Sequence, residues 1–567
     1  MKFIILFILS LLIAPLSRNG FKVKVGIFNR LFKTKINTAW IELLAVFWLF
    51  VLVYEYILLI DDNISSILYY LVPLALFIAL SGLFLYLDQG SKLGKSEKWI
   101  KYSLSITFLL MAIFFGPINV LISQQAKYDS VVVEYKESAE VFTEEDTPFL
   151  VPKITAANKM KKVFGNVPNV SYYELGEITP QWVNGEAIYV APIEITGLIK
   201  AFKSDKIPAY IIMSGTNPSA EAELKLGYSM KYVPSEIGKH NLKRKIRQAE
   251  PNLIFYGEPK FEIDDEGKPF YTWTYGDFVQ IRSGFIPKGV VVADPQTGEV
   301  EKYVTGEEPE FIDATINGEV SSTLEIYFGK FVEGLFNFSQ TNVKLPNSAV
   351  TPIFDKEGRM YYFTDYSSPK EGVDAALGYS LLDAKTGKIN YYSGKDLQGM
   401  MDSNAAKIAV NNKFKREVWK GTMPVVYNVY GTPSWVLPVV DSAGLVQSYA
   451  IVSATNANVF ASAPTHSGAF KKYKSALTKK TATLTPSSKG EEKSINGKVT
   501  VKKIFQEEEN KMVYLMLDGY DEIFVIIADD FPYSIFVQEG DTVSMNYLDS
   551  GELAVAVTNY QNAKSKK

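Results

Sequence analysis

The sequence predicts an α-helical membrane anchor, then an α+β ectodomain of repeated helix/antiparallel-sheet units, then a small C-terminal all-β barrel. Three observations predict it. Apolar runs crowd the first 122 of 567 residues. From residue 151 a helical pattern followed by several strands recurs about every 70–90 residues, a period that signals repeated units. After residue 495 only short strands follow, at regular spacing. A chain this long calls for several structural units rather than one core.

The apolar runs come first. They cover about residues 3–16, 39–60, 64–87 and 99–122, against the roughly 20 residues that a helical span needs. The first is short, yet Ala14-Pro15-Leu16-Ser17 places a proline inside the candidate cleavage site, so a retained, short or tilted span is favoured over a signal peptide. Aromatic residues such as Trp40, Tyr54, Tyr86 and Trp99 sit near the run ends, where amphipathic rings favour an interface. Glu42 and Glu55 are the acidic groups inside these runs, and both lie near run ends. That favours a bundled anchor over an ion path.

Basic residues orient the anchor. Residues 1–122 carry 11 Lys/Arg against 6 Asp/Glu, and the remainder carries 48 against 56. The loop 17–38 holds Arg18, Lys22, Lys24, Arg30, Lys33 and Lys35, and the loop 88–101 holds Lys92, Lys95, Lys98 and Lys101. Between them, Asp61-Asp62-Asn63 is acidic. The positive-inside rule puts both basic loops in the cytoplasm. The expected address is the cell membrane, multipass, with residues 123–567 extracytoplasmic.

Residues 123–150 read as a juxtamembrane stalk. Residues 151–477 divide into units at about 151–233, 234–310, 311–395 and 396–477. Helical patterns cover Lys153–Phe164, Ser235–Ala249, Ser321–Phe338, Asp402–Lys415 and His466–Leu477, with Ser321-Ser322-Thr323 and Asp402-Ser403 as N-caps. The strands are clearer. Phe261 to Gly267 leads into Phe270 to Tyr275, Pro352 to Gly358 into Met360 to Thr364, and Ser434 to Gly444 into Leu445 to Val452. Each is a strand, an Asp-plus-Gly turn and a second strand; the glycine supplies positive φ.

A second phrase recurs. Val291 to Val300 and Leu381 to Ile389 share Asp-x-x-Thr-Gly between apolar residues, at Asp294/Thr297/Gly298 and Asp383/Thr386/Gly387. Ile451 to Val459 is a version without the Asp and Gly. Over about 250–450 the chain resembles the PepSY-type modules of extracytoplasmic bacterial proteins. That resemblance implies a helix with an antiparallel sheet, and a binding or inhibitory module rather than a catalyst.

Residues 478–494 read as a linker, polar and carrying Pro486 and Gly490. Residues 495–562 then hold five or six short strands, at 498–505, 512–517, 522–528, 534–537, 542–548 and 553–558. The turn and strand from Val537 to Val543 resemble OB-fold barrels, which implies a binding barrel. The acids Asp518, Asp521, Glu522, Asp529, Asp530, Glu539 and Asp541 oppose the basic grooves through which such folds take nucleic acid.

Chemistry is sparse. No cysteine is present, which removes thiol nucleophiles, disulfides and thiolate metal sites. The two histidines, His240 and His466, stand in different units with no second ligand at metal-binding spacing, where zinc needs about three protein ligands. Ser367 and Lys370 spell Ser-x-x-Lys, but Pro369 disfavours a helix there. No residue is singled out as catalytic, as cofactor-binding or as a metal ligand, and no cofactor is expected. One charged cluster stands out: Lys239, Lys243, Arg244, Lys245 and Arg247 on the stretch from Ser235, an expected contact for an anionic surface.

The expectation is a multipass membrane protein with a large extracytoplasmic binding, scaffolding or sensory domain in the bacterial cell envelope. Its expected partners are the lipid bilayer and an envelope protein, a peptide or a wall polymer, not nucleic acid. The alternatives are an envelope hydrolase or transferase with a carboxylate-based site, and an accessory subunit of a transport complex.

Overall fold

A computed structural model describes residues 49, 53, 59–66, 103, 106, 107 and those from 109 on, except 140, 144–148, 198–199, 201–205, 348, 371–374, 484–490, 508–509, 529, 550–553 and 563–567. The described chain is mostly β-sheet: several antiparallel sheets and a closed barrel.

This corrects the expected fold class, with its α-helical membrane anchor. The runs at 3–16, 39–60 and 64–87, with the basic loops 17–38 and 88–101, lie almost wholly outside the described residues. Among the described residues no helix is long and apolar enough to cross a membrane. The multipass placement, and the extracytoplasmic address of 123–567 that followed from it, fall with that finding. The end of the fourth run shows why counting apolar residues misleads. Its helix passes through a π-helical turn, Phe114–Ile118, that contains Pro117. It then restarts as Asn119–Ile122 and again as α1, Gln124–Asp129. Proline removes a backbone donor inside a helix. Asn119 is buried, and its side-chain amide donates to the carbonyl of Ile281 at 2.6 Å, so this end of the run is tied to a distant loop of the same chain. Leu110, Phe114 and Leu121 remain exposed.

Two compact units divide the chain, one of residues 1–142 and 146–447, the other of 143–145 and 448–567. In the first, α1 is followed by two short strands, β1 (Val133–Lys136) and β2 (Val141–Phe142). Helix α2 (Lys153–Phe164) precedes a five-stranded sheet of β3 (Tyr173–Leu175), β4 (Thr179–Val183), β5 (Glu186–Ile195), β6 (Ile207–Ser214) and β7 (Glu223–Met230). Helix α3 (Leu242–Ala249) precedes a second, of β8 (Ile254–Phe255), β9 (Lys260–Ile263), β10 (Pro269–Val279), β11 (Gly284–Ala293) and β12 (Val300–Val304). Helix α4 (Gly318–Lys330) precedes β13 (Leu345–Pro346), β14 (Thr351–Phe354), β15 (Met360–Ser367), β16 (Ala376–Asp383) and β17 (Ile389–Tyr392). β1 adds to that sheet, parallel to β17. Helix α5 (Ser403–Lys413) is followed by β18 (Lys420–Gly421), β19 (Val425–Val429) and β20 (Thr432–Val440); β2 pairs parallel to β19.

Strand alternation splits the side chains between two cores. On β5, Tyr189 and Ala191 enter a core shared with Met160 of α2, with Leu324 and Phe328 of α4 and with Tyr362 of β15. Ile188 and Val190 enter another, with Phe261, Tyr271 and Trp273, capped by Leu242 and Ile246 of α3. The edges of the first two sheets are joined by side chains. Gln181 of β4 is buried; its amide nitrogen donates to the carbonyl of Ile263, and its oxygen accepts from the Ile263 N–H at 3.0 Å. A glutamine thus imitates a peptide group and satisfies two β9 backbone groups that would otherwise be buried unpaired.

The second unit, by itself, holds β21 (Val446–Ser453) from Ser448 on, paired with β22 (Asn456–Ala463), helix α6 (His466–Thr483), and a barrel of β23 (Glu491–Glu507), β24 (Asn510–Leu517), β25 (Ile523–Ile527), β26 (Thr542–Asp549) and β27 (Ala554–Asn562). The barrel closes in the order β23-β24-β25-β27-β26, with β25 and β27 parallel. Residues Pro532–Phe536 form a 3-10 turn rather than the strand expected at 534–537.

Candidate functional site

A cavity of about 530 Å³ opens within the first unit. Its walls come from the start of α2, the entry to β4, strands β9 and β10, the start of α4, strands β14 and β15, and Thr422-Met423. The volume lies in the range of about 300–1,000 Å³ typical of small-ligand sites.

Alternation along β9 and β10 builds the polar wall. Lys260 and Glu262 face the cavity, while Phe261 and Ile263 point into the core. On β10, Thr272 and Thr274 face the cavity, while Tyr271, Trp273 and Tyr275 point away into the same core. Both faces are covered, so a polar residue here is deprived of water rather than exposed to it. The hydroxyls are already paired: Thr272 donates to Glu262 Oε1 at 2.9 Å and Thr274 to the carbonyl of Thr315 at 2.8 Å. Thr179 donates to the carbonyl of Phe261 at 2.9 Å.

Glu262 differs from these neighbours. It is only 5% exposed, and its Oε2 is buried without a well-formed hydrogen bond, although the Asp313 backbone N–H lies close enough to the carboxyl to favour its charged form. Burial pushes its carboxyl up to about 8, and the nearby charge of Asp313 adds to the effect. Asp313 is also buried; burial pushes it up to about 7, although its Oδ2 accepts from the Trp182 N–H. Burial thus favours the neutral acid of Glu262 at neutral pH, in the wall of the cavity. The rest of the wall mixes apolar side chains, among them Ile178, Pro180, Val350, Met360, Tyr362 and Met423, with polar ones at Asn317, Glu319, Ser322, Thr351 and Thr422. Glu177 also lines the cavity, its carboxylate bridging Lys260 at 2.7 Å and Lys153 at 3.8 Å.

The residues singled out from sequence lie elsewhere. Lys243, Arg244, Lys245 and Arg247 share α3, and Lys239 lies in the preceding 3-10 turn, Gly238–His240. The structure gives four of them separate partners. Lys243 pairs with Glu258; Arg244 donates to the carbonyl of Gly238 at 2.9 Å; Lys245 lies over the Tyr232 ring at 5.5 Å. Arg247 donates to the carbonyls of Leu253 and Leu59 and lies over the Phe255 ring at 4.9 Å. None of the five lines the cavity. Among the described residues no group of three or more His, Asp and Glu is placed to hold a metal ion.

Glu262 was missed, although a signal for it exists. Lys260 to Ile263 and Phe270 to Tyr275 alternate charged or hydroxyl residues with large apolar ones on adjacent paired strands. That pattern reads as a half-solvated hairpin until the covering segments, remote in sequence, are in place.

No family model matches the chain, and no curated protein does. Among solved structures it is similar to a levansucrase variant from B. megaterium, at 10% identity over 68% of this chain and 84% of that one, with a TM-score of 0.16. A second, described as a glycoside hydrolase, matches at 10% identity over 63% of this chain and 90% of that one, with a TM-score of 0.16. Superposition at that level carries neither fold nor activity to this chain.

Proposed function

We propose that the chain is a binding protein and that its cavity takes a short peptide segment of a partner. The observation that supports this reading is the buried acid of Glu262, one oxygen of which lacks a well-formed hydrogen bond, in a cavity wall that also presents Ile178, Pro180, Val350, Met360, Tyr362 and Met423. A protonated carboxyl donates one hydrogen bond, and a peptide carbonyl accepts one. A sugar chain presents many hydroxyls and needs many partners, whereas Thr179, Thr272 and Thr274 are already engaged within the protein. A neutral acid beside these apolar side chains suits a ligand that is largely apolar and carries an acceptor.

A carboxylic acid held neutral at pH 7 is also the state a general acid needs, so the test separates binding from catalysis. The full chain is titrated calorimetrically with short peptides bearing apolar side chains, and with oligosaccharides. Saturable peptide binding is expected, kept in Glu262→Gln, whose amide still donates, and weakened at least about tenfold in Glu262→Met, which is about 1.4 kcal/mol. Binding of oligosaccharides alone, or a cleavage activity abolished by Glu262→Gln, overturns the reading.

A further inference from the structure

A second cleft, of about 930 Å³, lies in the first unit, and its lining does not overlap that of the Glu262 cavity. Lys344 is the residue of interest in it. The residue directly precedes β13, and its N–H donates to the carbonyl of Gly329 near the end of α4 at 3.0 Å. The two backbones meet so closely that a Cβ on Gly329 would lie 2.3 Å from the Lys344 carbonyl oxygen. Glycine at that position therefore fixes where the lysine stem begins.

From there the side chain runs inward. Its Nζ lies 4.1 Å from the centroid of the Phe328 ring and 5.0 Å from that of Tyr391. Phe328 is fully buried, and the Tyr391 hydroxyl is engaged, donating to the carbonyl of Leu377 at 2.8 Å. What Lys344 meets is thus two ring faces. Among the described residues its Nζ has no ion pair and no hydrogen bond. The other titratable groups lining the cleft are Tyr128, Tyr135, Glu333 and Lys370, and Glu333 accepts from the Asn342 amide at 3.3 Å.

A lysine that only covers apolar surface keeps its ammonium in water. Here the stem is anchored and the charged end is turned onto rings, beside a cleft wide enough for a ligand. Burial lowers the amine to about 8. Ring faces favour the ammonium, yet they do not replace its lost hydration, so a sizeable fraction is neutral near physiological pH. A neutral amine at a cleft wall carries a free lone pair, which is what lysines that form Schiff bases require. Lys370 lines the same cleft and brings a second positive charge.

We propose that Lys344 is a nucleophilic amine whose cleft captures a small carbonyl compound bearing an anionic group, bound as an imine on Nζ with Lys370 attracting the anion. The step balances without an oxidant or reductant. The Nζ lone pair forms the C–N bond to the carbonyl carbon, the carbonyl oxygen takes up two protons and leaves as water, and a C=N bond remains. Water reverses it.

The test uses the full chain with glyoxylate and cyanoborohydride, read by peptide mass mapping. Lys344 is expected to be alkylated at least about tenfold faster than Lys239 at pH 7.5, because burial lowers its amine to about 8 and so raises its neutral fraction. Its rate should rise with a midpoint near pH 8. The preference should vanish in urea, and Lys344→Arg should remove the adduct. Lys370→Ala should slow the reaction with glyoxylate but not with neutral propionaldehyde. Alkylation of Lys344 no faster than Lys239, or a preference that survives unfolding, overturns the nucleophile. Equal slowing of both aldehydes by Lys370→Ala overturns the anionic part.

Discussion

Two buried glutamates of the first unit, Glu262 and Glu325, make an instructive pair. Both side chains are deprived of water, and burial pushes Glu262 up to about 8 and Glu325 up to about 7. Their partners differ. Glu325, on α4, accepts from Ser380 at 2.9 Å on Oε1 and from the Tyr366 hydroxyl on Oε2. Both donors come from the sheet beneath the helix, and Tyr366 and Ser380 are fully buried. Glu262, in the wall of the cavity, accepts from Thr272 on Oε1, while its Oε2 is buried without a well-formed hydrogen bond. A buried acid with both oxygens paired pins a helix to a sheet. One with an oxygen left over carries a desolvation cost that the fold does not repay, and that is where a ligand gains most.

The comparison breaks if the two positions respond alike to the same change. The largest effect is expected for Glu325→Met, which strands two buried hydroxyls and should destabilise the first unit by about 3 kcal/mol, measured as a fall in its thermal transition. Glu262→Met removes a poorly satisfied carboxyl and strands one buried hydroxyl, that of Thr272, against two at Glu325. Its stability should stay within about 1 kcal/mol of the parent. Equal losses at both sites would make Glu262 a structural residue and remove the basis of the peptide reading.

The same contrast shows how far the sequence could be read. Where a motif closes on itself, it was legible. In the two Asp-x-x-Thr-Gly phrases, Asp294 accepts from the N–H groups of Gln296 and Thr297, and Asp383 from those of Lys385 and Thr386. Gly298 and Gly387 take φ of +76° and +74°, so the turn chemistry lies within five residues. Asp402 caps α5 by accepting from the Ala405 N–H. Helix ends decided by rivals nearby were less legible. Asn317 caps α4, so Ser321-Ser322-Thr323 lie inside the helix rather than at its start. The helix ends at Lys330, and positive φ at Glu333 and Gly334 keeps the chain from continuing to the expected end at Phe338. Asn241 likewise starts α3 six residues after Ser235. The cavity was not legible, because its wall is assembled from segments between Pro152 and Met423.

Intermediate in size is the effect of pH. Unfolded glutamates titrate near 4.3, so across the window above that value the folded chain holds protons on Glu262 and Glu325 that the unfolded chain has released. Stability therefore falls as pH rises from about 4.3 through about 7 and then about 8, and levels off above. Glu262→Met should flatten the slope between about pH 7 and 8 and make it shallower, without abolishing it, between about pH 4.3 and 7, where Glu325 still contributes. Peptide binding should weaken over the same upper interval, as Glu262 loses the proton it donates. Binding unchanged from pH 6.5 to 9 would detach Glu262 from the ligand, whatever its contribution to stability.

The smallest effect is expected at the basic cluster, and it sets the baseline for the comparison. Lys243 pairs with Glu258, whose side chain is 58% exposed. Exposed pairs are worth at most about 1 kcal/mol, because water screens the charge and two long side chains must be ordered. Lys243→Ala should therefore shift the thermal transition by no more than about 0.5 kcal/mol, and less at high salt. Arg247 gives a sharper control. Its guanidinium holds the Leu253 carbonyl and covers the Phe255 ring, so Arg247→Ala loses packing as well as charge. A salt-insensitive loss at Arg247, larger than that at Lys243, would show that α3 uses its charges to hold its own loop. A loss of equal size and equal salt dependence at both would instead treat the five residues as one electrostatic surface.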